Sequence, residues 1–131
     1  MTGLIWLVQV VHYPSFHFVP DSESVRFAVF HTTRITWVVA PVMILEGMTL
    51  AMLLFQRDLS LAFKVGAAFL LLLIWVSTAT LQVPQHSVLA LGKDVSAIDR
   101  LVSTNWLRTF AWTFKTGLVS WELYRLFNLK N

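Results

Sequence analysis

The chain has 131 residues, of which 56% are hydrophobic and 13% charged, with a formal net charge of +3 and no cysteine. Soluble domains carry about 25% charged residues, so the composition argues against an ordinary water-soluble enzyme. The missing cysteines exclude disulfides, thiolate metal sites and iron–sulfur clusters, and the modest basic excess points to lipid phosphates rather than to nucleic acid.

The first apolar segment runs from about 3 to 19 and ends at Pro20 and the polar stretch Asp21-Ser22-Glu23-Ser24, read as a turn. It has neither a basic leader nor a small-x-small cleavage site, which separates it from a secretory signal. The second runs from about 25 to 55 and stops at Gln56-Arg57-Asp58. At that length it tilts or projects beyond the bilayer. The third, about 61 to 84, overlaps a stretch from Val65 to His86 that holds no Asp, Glu, Lys or Arg. Such a run reads as a transmembrane helix, because about 20 residues cross the ~30 Å hydrocarbon core. Between 86 and 102, Val88, Leu89, Leu91, Val95 and Ile98 alternate with Lys93, Asp94, Asp99 and Arg100, the pattern of a short amphipathic interfacial helix broken near Gly92. The fourth segment covers about 103 to 127. Lipid offers no partner for exposed backbone groups, so each span is helical. Short connections make neighbours antiparallel. The expectation is one all-α transmembrane domain over residues 1–131, an integral membrane four-helix bundle. Loop charges at Arg57, Lys64, Arg125 and Lys130 place the termini in the cytoplasm of a bacterial inner membrane, counting loops alone.

The two halves echo each other. Leu4-Ile5-Trp6 matches Leu73-Ile74-Trp75, Pro14 matches Pro84, and His31-x-x-Arg34 parallels Asn105-x-x-Arg108. Trp37 and Trp112 follow, and Glu46 and Glu122 lie deeper in each half. Two readings stand: tandem helical hairpins related by an axis along the membrane normal, or chance among residues common in membrane helices.

Topology brings one end of every span to the same side, and that side receives His12, Tyr13, His17, His31, Arg34, Gln82, His86, Asn105 and Arg108. At 100° per residue, each helix presents one polar stripe. Arg108, Lys115 and Glu122 align on the fourth, Gln9 and His12 on the first. Charged groups inside a membrane normally face the bundle interior in pairs. Helical rise predicts a Glu46–Lys115 ion pair with Glu122 as a second acceptor, acting either as structural glue or in function.

The histidines admit several chemistries. A b-type haem would use His12 and His31 as axial ligands; a divalent metal would use His12, His31 and His86; a proton or quinone site would place a histidine near an arginine. The alternative is structural, with His17 and His86 at the headgroups and His12 hydrogen-bonded inside. Arg34 and Arg108 either clamp a carboxylate or phosphate bidentately or reach toward lipid phosphates. No zinc-protease motif, phosphate loop or nucleophile elbow is present.

Gln82-Val83-Pro84-Gln85-His86 followed by Asn105-Trp106-Leu107-Arg108 resembles small bacterial four-helix integral membrane proteins, distantly the anthrone-oxygenase-like membrane family, over residues 73 to 116. The resemblance implies a four-helix fold and a cofactor-independent oxygenase acting on a lipophilic ring substrate. Asn105 stands where a histidine is expected before the arginine, so the resemblance assigns no catalytic residue.

Taken together, the expectation is a membrane protein binding a lipophilic or cofactor-like ligand (haem, metal, quinone or organic substrate) through His12, Tyr13, His31, Arg34, Gln82, Asn105 and Arg108. The rival is an accessory subunit, in a homo-oligomer or a larger membrane complex, whose polar stripes serve helix contacts.

Overall fold

The computed structural model describes residues 1–130 as four helical rods, with no strand among the described residues. The first rod comprises α1 (Thr2–Leu7), a π-helical turn over Val8–His12 and a 3-10 turn over Pro14–Phe18. Pro14 has no N–H, and a proline ring crowds the carbonyl four residues back. The chain widens just before it, so that the Tyr13 N–H donates to the Val8 carbonyl at 2.9 Å. The third rod repeats the device. There α3 (Leu61–Ser77) leads through a π turn (Thr78–Gln82) into α4 (Val83–Leu89), the Val83 N–H donates to the Thr78 carbonyl, and Pro84 follows. Single π turns of this kind cluster at functional sites.

The second rod is one helix, α2 (Asp21–Leu54). The Asp21–Ser24 stretch, expected as a turn, is its first turn. Pro20 sits at the cap, and Asp21 and Glu23 complement the positive end of the helix dipole. Two further expectations are corrected. Pro84 does not end the third rod, which continues to Leu89, because the π turn absorbs the proline. Residues 86–102 form no separate interfacial helix: the first part completes α4 and the last part opens α5 (Val95–Lys130). Asp94 sets that start, its Oδ1 accepting from the Ala97 N–H at 3.0 Å and from the Ser96 hydroxyl at 2.7 Å.

Two of the four rods, α2 and the continuous Leu61–Leu89, are long and apolar enough to cross a membrane. The first rod is shorter, and α5 carries polar side chains along its length. Those polar groups point inward. Gln9, His31, Gln82, Asn105, Arg108, Thr109 and Glu122 are buried, whereas Phe30, Trp37, Leu45, Leu72, Phe114 and Trp121 are exposed. A water-soluble fold sorts these classes the other way.

Inside, two apolar clusters bracket a polar layer. Ile5, Leu50, Phe63, Ala67, Ile74 and Trp112 form one; Val8, Phe16, Ala28, Leu89, Ile98 and Leu101 form the other. On α5 the order is Leu101, then Asn105, Arg108 and Thr109, then Trp112. Gly66 brings α3 against α5, since a Cβ there would meet a Leu118 methyl at 3.0 Å. Gly47 brings α2 against α3, where a Cβ would meet the Trp75 ring at 3.2 Å. The α2 backbone approaches α3 and α4 rather than α1 or α5. It is joined to the bundle near Ala28 and Leu50 and stands off between them.

Candidate functional site

The stand-off of α2 leaves a cavity of about 470 Å³ between it and the other three rods. Small-molecule sites span about 300–1,000 Å³. One wall is α2, from Val29 to Met43; opposite it lie Leu4, Ile5 and Val8 of the first rod; α4 supplies Val83 and Ser87. From α5 one side chain lines the cavity, Arg108.

Hydroxyls are numerous in this lining, yet nearly all turn their protons away from it. Thr32, Thr33 and Thr36 donate to the carbonyls of Ala28, Val29 and Thr32; Thr78 donates to Ile74 and Ser87 to Val83. Methyl groups and hydroxyl oxygens that can accept but not donate therefore make the wall. Recognition falls to four residues: Tyr13, Gln82, His86 and Arg108.

Arg108 is only 5% exposed. Its Nη1 donates to Asn105 Oδ1 at 3.1 Å, and its Nε has no partner. Among the described residues no carboxylate pairs with it. The supporting network is closed on the far side. Asn105 Nδ2 donates to Gln9 Oε1 at 2.8 Å, Gln9 Nε2 donates to the Val102 carbonyl at 3.0 Å, and the Thr109 hydroxyl donates to the Asn105 carbonyl at 3.0 Å. Gln82 is oriented by the same helix. The Thr104 hydroxyl donates to the Arg100 carbonyl at 2.6 Å, so it accepts from Gln82 Nε2 at 2.9 Å. That fixes the amide with Oε1 buried and unpartnered. The Tyr13 hydroxyl lies 3.3 Å from His86 Nε2.

The expected ligand-binding residues divide. Tyr13, Gln82 and Arg108 meet at the cavity's polar end, and Asn105 holds Arg108 from behind without lining the cavity. His31 lies behind Tyr13 and His86, its ring stacked on His86 with centroids 5.1 Å apart. His12 Nε2 and His31 Nδ1 are in direct hydrogen-bond contact. Arg34 goes elsewhere: it is exposed and sits over the Phe30 ring at 5.6 Å, so the paired-arginine clamp with Arg108 is not formed. His17 faces outward to Asp99 at 3.2 Å.

The residues present do not fit haem or a metal. A hydrogen bond directly between His12 and His31 leaves no space for an iron between their nitrogens. No group of three or more His, Asp or Glu among the described residues is placed to hold a metal ion. His12, His31 and His86 are instead packed edge-to-face with Tyr13 and Phe16, and His12 lies tilted against Phe27.

Lys115 and Glu46 are in direct contact through Nζ and Oε2, joining α5 to α2 beyond the cavity. Glu122 is not a second acceptor for Lys115. It accepts from the Ser60 backbone N–H at 2.6 Å and the Ser60 hydroxyl at 3.0 Å, and Arg125 donates to it at 2.6 Å. Glu122 thus ties α5 to the start of α3.

Sequence reasoning did not select Thr104, which orients Gln82, or the α2 threonines. Their spacing at 32 and 36, continuing to Ala40 and Met43, is the available signal: small and polar groups on one helical face. Gln9 was seen to share a face with His12; the π turn sends Gln9 to α5 and His12 to α2. Compared with protein families, curated proteins and solved structures, the chain matches none.

Proposed function

We propose that this is an integral membrane protein in which all four rods cross the bilayer and hold one lipophilic small molecule between α2 and the rest. The single observation that carries the reading is the cavity with apolar walls and one buried, carboxylate-free arginine at its polar end. Leaving a guanidinium buried without an anion costs several kcal/mol, roughly, and protein pockets concentrate their few directional groups where a ligand's orientation is set. The apolar exterior supports membrane embedding, as do the two rods of sufficient length and hydropathy. Cytoplasmic termini belong to the same proposal and rest on loop charge; a bacterial inner-membrane location is proposed with them on the resemblance to bacterial membrane proteins.

A distant relation to the anthrone-oxygenase-like membrane family is part of the proposal as well. Its support is that Gln82, His86 and Arg108, three of the residues carrying the resemblance, line one cavity, with Asn105 hydrogen-bonded to Arg108 behind it. The chain's tandem-hairpin origin is supported by the two π turns, each ending two residues before a proline.

The rival reading, an accessory subunit in a homo-oligomer or larger complex, is favoured by one observation: α2 exposes Trp37, Val38, Ile44 and Leu45 along its outer face. Native mass spectrometry of the protein in lipid nanodiscs separates the two. Wild type is expected to retain one small-molecule adduct that Ala40→Trp, which fills the cavity, does not. Adduct-free wild-type protein recovered with stoichiometric protein partners would favour the rival.

A further inference from the structure

Resting on the cavity reading above, the inference concerns what kind of molecule the site selects. Three buried polar atoms of residues lining the cavity have no partner: His86 Nδ1, and two that belong to nine-tenths-buried side chains and differ in kind. Arg108 Nε is a cationic donor; Gln82 Oε1 is a neutral acceptor. Both side chains are at least nine-tenths buried, at 5% and 2% exposed. Neither is free to turn away. Arg108 is held through Nη1 by Asn105, and the Gln82 amide is fixed because the Thr104 hydroxyl already donates to the Arg100 carbonyl. Thr104, which holds Gln82, lies one helical turn from Arg108 on α5, so Gln82 and Arg108 enter the cavity lining at neighbouring levels of that helix.

A ligand that satisfies both must bring an anion and a proton donor together. Arginine's Nε edge matches a carboxylate bidentately. A hydroxyl close to that carboxylate then donates to Gln82 Oε1. The lining hydroxyls make no such demand, since the α2 threonines, Thr78 and Ser87 keep their protons within their own helices. The cavity, about 470 Å³ and partly open, is in the size range of a single small-molecule site, which suits one acyl chain.

We propose that the cavity takes a single-chain hydroxylated carboxylate, with the carboxylate on Arg108, the hydroxyl on Gln82 and the chain along the apolar face of α2. A neutral lipid lacks the anion.

The test uses the full chain in nanodiscs and three probes of matched length: 3-hydroxydodecanoate, dodecanoate and 1-dodecanol, titrated calorimetrically against empty nanodiscs. Charged and neutral hydrogen bonds differ as they do elsewhere in proteins. The acid is therefore expected to bind about ten- to a hundredfold tighter than the alcohol, and the hydroxy acid about five- to tenfold tighter than the acid. Arg108→Gln should abolish the first preference and keep the second; Gln82→Leu should do the reverse. Equal affinity for acid and alcohol in the wild-type protein overturns the anion assignment. Equal affinity for acid and hydroxy acid overturns the Gln82 assignment. These wild-type ratios need no variant to fold. Absence of binding by all three probes to monodisperse, helical protein would overturn the cavity reading itself.

Discussion

Lys115 and Glu46 offer the sharpest test of how α2 is held over the cavity. The pair is mostly enclosed, with side-chain exposures of 11% and 26%, and the Lys115 Nζ also lies 4.9 Å from the Trp112 ring. Removing one partner of a fully buried pair costs about 3–5 kcal/mol, chiefly because the other charge is stranded. Glu46 is a quarter open, so Glu46→Gln should cost less, about 2–3 kcal/mol. Lys115→Met strands the more accessible carboxylate and should cost about 1–2 kcal/mol. The double variant Glu46→Met/Lys115→Met removes both charges and should lie within about 1 kcal/mol of wild type. Reversible unfolding in mixed micelles, followed by tryptophan fluorescence, gives all three values and the coupling. A Glu46→Gln cost below about 0.5 kcal/mol, within the range of surface substitutions, would refute the idea that this contact pins α2 to α5.

Other outcomes follow from the same geometry. Gln9→Leu deprives Asn105 Nδ2 of its acceptor and should lower stability by about 1–3 kcal/mol in the same assay, with Gln9→Glu retaining the acceptor. Gly66→Val places a branched side chain where a single Cβ already meets Leu118 at 3.0 Å; overpacking of this sort costs about 1–3 kcal/mol, and circular dichroism melts should show it. Asp94 lies outside the apolar rods, and the Ser96 hydroxyl and Ala97 N–H hold its carboxyl below the usual aspartate range. A depressed folded pKa gives stability that is present at neutral pH and is lost as pH falls through that lowered value. The melting temperature should therefore decline with acidification below the ordinary aspartate range, and Asp94→Asn should flatten that part of the profile.

Much of the helical layout was legible because the apolar runs are long and their breaks contain Asp, Gly, Pro and Gln. The Glu46–Lys115 contact was legible too, since helical rise and phase set both positions. Glu122 was misassigned for the same reason phase works: it shares a face with Lys115 but lies about 10 Å further along α5, at the level of Ser60. Asp21–Ser24 suits a turn and a helix start equally, and only Pro20's place at the cap decides between them. Pro84 signals an ending unless the preceding turn widens, and nothing in Thr78–Gln82 announces a π turn by composition. Arg34 is within a turn of His31, yet α2 stands away from the bundle, so a residue near the inward face still reaches the outside. The cavity has the same origin. It arises from how far one helix stands from three others, which periodicity within a single helix does not encode.

The central claim is that a ligand sits against the inner face of α2, and the absence of cysteine from the chain makes this directly measurable. Ala40 lines the cavity and Trp37 faces outward. Single-cysteine variants Ala40→Cys and Trp37→Cys in nanodiscs are labelled with a lipid-permeant maleimide, with and without 3-hydroxydodecanoate. Slowed labelling at position 40 with an unchanged rate at 37 is the predicted result. Equal rates at both positions in the presence of saturating ligand would contradict the account.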